Sequence, residues 1–213
     1  MQRRDFIRIA AAAAALAFVL SGIPGTALAQ GVDVNAILND PDAPVSGNPE
    51  GDVTIVAFTD YNCPFCKKAE PDLNRIVRED GHVRLVHKDW PILTKASVYG
   101  AQLALAAKYQ GKYDLVHGAL MAIPGIKVPE DRMLAAVKAS GVDMARLDAD
   151  LKKHSADIAA LLQRNMDQAN ALGLQGTPTY LIGPFRTSTL DYAGFKEALA
   201  EARRRQAAGD VVK

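Results

Sequence analysis

Apolar residues at positions 53, 55, 56, 57 and 58 run almost without interruption, which predicts a strand over residues 53–59 buried on both faces. From residue 62 the rhythm changes to spacings of three and four. Phe65, Ala69, Leu73, Ile76 and Val77 mark a helix that Gly81 stops. Pro71 lies inside that pattern and is expected to kink or break the helix near Glu70, because it lacks an N–H and its ring meets the preceding turn. Residues 83–89 alternate as a second strand, and Trp90-Pro91-Ile92-Leu93 leaves it as an apolar loop. Two strands joined by a helix form a parallel, right-handed unit most economically.

The following eighty residues carry almost no strand signal. Helices are predicted over 95–109, 113–121, 129–140, 143–152 and 155–172. A strand returns at 179–182, turns at Gly183-Pro184 and pairs with an antiparallel return over 185–189. Phe195, Leu199 and Ala202 stripe a last helix over 192–205. The order is β-α-β, a helical block, then β-β-α. Neither flanking piece can bury a sheet alone, so residues 52–93 and 173–205 are expected to build one α/β layer, with 94–172 inserted as an all-helical subdomain. Residues 30–51 read as a short extension with little regular structure, and 206–213 as a frayed tail.

Residues 1–29 are set apart by a basic start at Arg3, Arg4 and Arg8, an apolar stretch over 9–20 and a small-x-small site at Ala27-Leu28-Ala29. That pattern predicts a secretory signal cleaved near Ala29, and Arg3-Arg4-Asp5-Phe6-Ile7-Arg8 resembles a twin-arginine export signal. The expected destination is the periplasm. Of the 25 basic and 24 acidic residues, the signal holds three arginines and one aspartate, so the remainder is balanced at 22 against 23. Such a surface has no footprint for nucleic acid.

The chain has only two cysteines, in Cys63-Pro64-Phe65-Cys66 at the strand-to-helix junction. They are too close in sequence to staple a long loop, so their chemistry outweighs any structural role. Helix-terminal N–H groups and the helix dipole stabilise a thiolate at this place, and Cys63, nearer the terminus and expected to be exposed, is the candidate nucleophile. A metal site would need two further ligands. The nearest histidines, His82 and His87, belong to the next strand and its approach, with one or both expected to face solvent. No cofactor is implied. Lys67, Lys68 and Glu70 read as a solvated helix face. Trp90, Tyr99, Tyr109 and Tyr113 fit either a peptide groove or the core.

With Gly176-Thr177-Pro178-Thr179 preceding the third strand, these features resemble the thioredoxin superfamily, and within it the DsbA-like thiol:disulfide oxidoreductases. The resemblance covers residues 52–205. It implies a thioredoxin-like fold, a cis Pro178 lying against the dithiol, and a Thr177 backbone offered to a bound substrate chain. Cys63 and Cys66 are then catalytic, supported by Pro64, Phe65, Thr177 and Pro178. The implied partners are protein thiols or disulfides and a membrane or periplasmic redox partner, with the chain acting as a monomer. Two departures stand out. Phe58-Thr59-Asp60 resembles the related isomerases and reductases, and Ala57 occupies the strand region where many relatives bury a proton-transferring acid. An exported oxidase is therefore the first reading and an isomerase or reductase of the same chemistry the second; a metal-handling thiol protein and a chaperone follow.

Overall fold

The computed structural model describes residues 32–209; the signal segment lies outside them. A five-stranded sheet is ordered β1(Val45–Gly47), β3(Val83–Asp89), β2(Val53–Thr59), β4(Thr179–Ile182) and β5(Phe185–Thr187). β2 and β3 are parallel, whereas β1 against β3, β4 against β2 and β5 against β4 are antiparallel. The register sets Ala57 beside His87 on one side and Tyr180 on the other. The chain thus has the expected mixed α/β, thioredoxin-like architecture.

The two central strands are covered on both faces. Val53, Ile55 and Ala57 meet α2(Pro64–Asp80) and α8(Tyr192–Ala208) through Leu73, Ile76 and Phe195. Val56 and Phe58 point the other way, towards Ile37, Trp90 and Ala169. Between β3 and β4 run α3(Lys95–Lys108), α4(Tyr113–Met121), α5(Glu130–Ala139), α6(Met144–Lys153) and α7(Ser155–Ala171). Their apolar faces form a further core that also takes in Tyr61, Cys63 and Cys66, so the helical block closes directly over the dithiol. No helix among the described residues is long and apolar enough to cross a membrane.

Three sequence expectations are corrected. The N-terminal extension is not irregular: it forms α1(Val34–Leu38), capped by the Asp33 side chain, and supplies edge strand β1. A strand of three residues is too short to leave an alternating signature. Pro71 does not break α2, which continues to Asp80 and is capped by Gly81 in the left-handed conformation. The Pro71 ring lies on the exposed side, and burial of Ala69 before it and Leu73, Ile76 and Val77 after it holds the helix across the missing hydrogen bond. The last helix runs to Ala208 rather than 205, with Gly209 as its left-handed cap.

The extension is anchored electrostatically. Lys88 on β3 is wholly buried and donates to Asp40 Oδ2 at 2.7 Å, while Arg164 on α7 grips both oxygens of Asp40 at 2.9 Å. Burial pushes the Asp40 carboxyl up, but Arg164 and Lys88 outweigh it and hold the carboxyl at about 2 against an ordinary 3.8. A carboxylate with a depressed pKa contributes stability that is complete above its unfolded value and is lost as pH falls through the folded one. Asp40→Asn leaves the Lys88 ammonium buried beside a neutral amide, with an expected loss of about 3–5 kcal/mol by urea unfolding. The deficit relative to the unmodified chain should shrink as pH falls from about 4 towards 2.

Candidate active site

The turn leading into α2 is built by Asp60. Its Oδ1 accepts the Asn62 N–H at 2.7 Å, its Oδ2 accepts the Leu93 N–H at 2.9 Å, and its carbonyl accepts the Cys63 N–H at 3.0 Å. Asn62 then joins the helical block: its amide donates to Thr94 Oγ1 at 2.8 Å, and its Oδ1 accepts the Val128 N–H at 2.6 Å. Beyond the dithiol, Lys67 Nζ donates to the carbonyls of Ile123 and Gly125 at 2.9 and 3.0 Å. The loop between α4 and α5 is therefore fastened on both sides of the cysteines. Lys67 is not part of a solvated face, although Lys68 is exposed as expected.

Cys63 is the N-cap of α2, with Pro64 in the first helical position where its missing N–H costs nothing. The Cys63 sulfur takes the place of a capping oxygen and accepts the Cys66 N–H at 3.3 Å. Both cysteines are free thiols here. Hydrogen bonding from Cys66 outweighs burial and, with the backbone N–H groups of Cys66 and Phe65, draws the Cys63 thiol down to about 6 from 9.0. Cys66 behaves oppositely: burial, then the hydrogen bond and negative charge of Cys63, push its thiol far above the ordinary value. One sulfur is thus a ready thiolate at neutral pH and the other holds its proton.

Cys63 is not exposed as expected but only 2% accessible, since the loop before β4 closes over it. The Thr177–Pro178 peptide is cis, and the Thr177 carbonyl lies 3.1 Å from Cys63 Sγ, accepting from the thiol when it is protonated. Thr179 Oγ1 donates to the Gly176 carbonyl at 2.7 Å and tightens that loop. Beside it lies an open groove of about 420 Å³ whose lining includes Phe65, Gln175, Thr177, Pro178, Arg186 and Thr189. Phe65 is 58% exposed at its rim. The four candidate aromatics do not line it. Trp90 and Tyr113 are buried, Trp90 Nε1 donates to Met166 Sδ at 3.1 Å, and Tyr99 and Tyr109 rest on the helical core.

The largest correction concerns Glu70, assigned by sequence to a solvated face but only 6% exposed. Its Oε1 accepts from His117 Nε2 at 3.1 Å and Asn74 Nδ2 at 2.9 Å. His117 Nδ1 lies 2.9 Å from the Tyr61 hydroxyl, and Tyr113 donates to Asp89 Oδ2 at 3.0 Å. His82 is exposed, whereas His87 is buried, with its ring centre 4.8 Å from that of His117. Burial and the neighbouring His117 charge lower His87 to about 3, so it is neutral. A signal for Glu70 was present: Cys66, Ala69, Glu70 and Leu73 follow the i, i+3, i+4, i+7 spacing of a single buried stripe.

A family model described as thioredoxin matches residues 39–201. A solved thioredoxin-like oxidoreductase from Silicibacter pomeroyi DSS-3 is 38% identical with a TM-score of 0.75, covering 81% of this chain and 98% of its own. The thiol-disulfide exchange protein alpha-DsbA2 of Wolbachia pipientis is 28% identical with a TM-score of 0.73, covering 78% of this chain and 90% of its own. Among curated proteins, Na(+)/H(+) antiporter NhaA 3 of Salinispora tropica is 32% identical over 185 residues, which are 80% of this chain but 27% of the antiporter. The chain spans about a quarter of the length of the first curated relatives it matches.

The two thiols should separate in a pH series of iodoacetamide labelling followed by peptide mass mapping. Cys63 is expected to label with a midpoint near pH 6, since a depressed thiol is ionised above that value, while Cys66 stays unlabelled through neutral pH.

Proposed function

Because the chain belongs to the thioredoxin family, as a DsbA-like thiol:disulfide oxidoreductase, we propose that it forms or exchanges disulfides in exported proteins through Cys63 and Cys66, working in the periplasm. The observation that carries this reading is the asymmetric pair of sulfurs under the Thr177–Pro178 loop, one poised as a thiolate and the other kept protonated. In the oxidising direction a client thiolate attacks Cys63 of the Cys63–Cys66 disulfide. A mixed disulfide forms through Cys63, and Cys66 leaves as a thiolate that then takes up a proton. A second client thiolate attacks the client sulfur of the mixed disulfide. It releases oxidised client and reduced Cys63/Cys66, which a membrane or periplasmic partner must reoxidise. In the reducing direction Cys63 attacks a client disulfide and Cys66 displaces the client.

The groove beside the cysteines suits an extended chain, whose backbone meets Thr177 and whose apolar side chains rest on Phe65 and Pro178. Pro64 starts the helix, and Phe65 brings neither charge nor a hydrogen bond to the thiolate. The exposed phenyl ring favours a couple less oxidising than the strongest periplasmic oxidases. An isomerase or reductase is the second reading, favoured by this same residue. The chain is proposed to act as a monomer.

Insulin reduction and recovery of a scrambled disulfide substrate test the reading. Cys63→Ser should abolish both, and Cys66→Ser should accumulate a mixed disulfide that reducing agent releases. Suppression of client aggregation that survives Cys63→Ser while both redox activities are lost would point to a holdase instead. Phe65→His should move the dithiol potential, measured by glutathione equilibration, towards more oxidising values; an unchanged or lower potential contradicts the assignment to residue 65.

A further inference from the structure

Resting on the proposed client groove beside Cys63, a preference among client segments follows from the chemistry of its walls. Arg186 is the single charged residue lining the groove; the rest are glycines, hydroxyls, one amide and apolar side chains. The nearest acid along the chain, Asp191, is occupied as the cap of α8, where its Oδ1 accepts the Gly194 N–H at 2.9 Å. Beyond the signal segment the charges of the whole chain balance, so no overall field selects clients and the choice falls to a local cation.

Arg186 stands on edge strand β5 opposite Leu181 and is exposed. Its Nη1 donates to the Leu172 carbonyl at 2.7 Å, while Nε and Nη2 have no partner among the described residues. Arg164 and Arg203, by contrast, each bridge two carboxylates. The Leu172 tether lowers the entropy that a long side chain loses on binding. It leaves open the Nε and Nη2 edge of the guanidinium, which can meet both oxygens of a carboxylate in one plane.

We propose that the groove selects client segments bearing an aspartate or glutamate on one side of the reacting cysteine, and that Arg186 is the residue that reads it. Thr177 lies just before β4, and Arg186 is level with Leu181 within that strand. An extended client rising about 3.3 Å per residue from Thr177 brings the guanidinium alongside a residue roughly two to four positions from its cysteine. The preferred segment therefore carries the cysteine, an apolar neighbour for Phe65 and an acid farther along. Lys68 is the rival cation: it follows Phe65 by one turn on α2 and is exposed, but it does not line the groove.

Single-cysteine peptides reacting with the Cys63–Cys66 disulfide test this. Each carries Glu, Gln or Lys at one of successive positions on either side of the cysteine, and loss of oxidised protein is followed by acid quenching and mass spectrometry. Every rate is divided by that of the same peptide with hydroxyethyl disulfide, a neutral partner, which removes the effect of the charge on the peptide thiol itself. At low salt Glu should outpace Lys about threefold to tenfold at one or two neighbouring positions and nowhere else, with Gln between them. The gap should narrow at high salt. R186Q should close it and R186E should invert it, a reversal that a merely structural role for Arg186 does not produce. Equal normalised rates for Glu, Gln and Lys in the unmodified protein overturn the proposal without need of a variant. So does a gap that is uniform along the peptide, or one that survives R186Q and disappears in K68Q. Failure of every peptide to open the disulfide would instead remove the dithiol reading beneath it.

Discussion

The arrangement depends on two sulfurs having opposite affinities for a proton within a space closed to water. An isolated thiolate is costly to bury. It is tolerated at Cys63 because the start of α2 turns unpaired N–H groups towards it and because Cys66 donates to it. The same proximity makes ionisation of Cys66 more costly. The asymmetry therefore follows from one geometric fact, a cysteine at the N-cap with a second cysteine three residues into the helix. The sheet, the covering helices and the proline loop hold that relation and limit access to it.

Much of this was legible in the chain. The runs at 53–59 and 83–89, the C-x-x-C junction, the helical block and the strand after Pro178 all carry local signals, and each lies where periodicity put it. What escaped was settled by partners far away in sequence. Lys88 reads as one polar position in an alternating strand; only Asp40, itself gripped by Arg164, makes its burial tolerable. β1 has too few residues for a pattern and exists because the edge of β3 needs a partner. Pro71 obeys the local rule for a break and is overruled by burial on either side.

Glu70 illustrates a different limit. Its position on the inner stripe of α2 could be counted from the sequence, but charge argued for water, and that inference gave the wrong face. The resolving partner is His117, forty-seven residues on, which no short motif connects to the dithiol. Cys63 was misjudged for a related reason: its cover is supplied by residue 177. Strands and helices are written locally, whereas the exposure and protonation of the reactive groups are decided by contacts between distant elements.

The contact between Cys63 and Thr177 spans 114 residues, and β4 enters the sheet beside β2 only when residues 179–182 are present. A chain made from its N-terminus therefore carries both cysteines long before it possesses the loop that covers them. In that interval the sulfurs are uncovered, open to whatever disulfides surround them. The difference between an uncovered pair of cysteines and a controlled redox centre is thus also one of time, and it ends only when the final sixth of the molecule arrives.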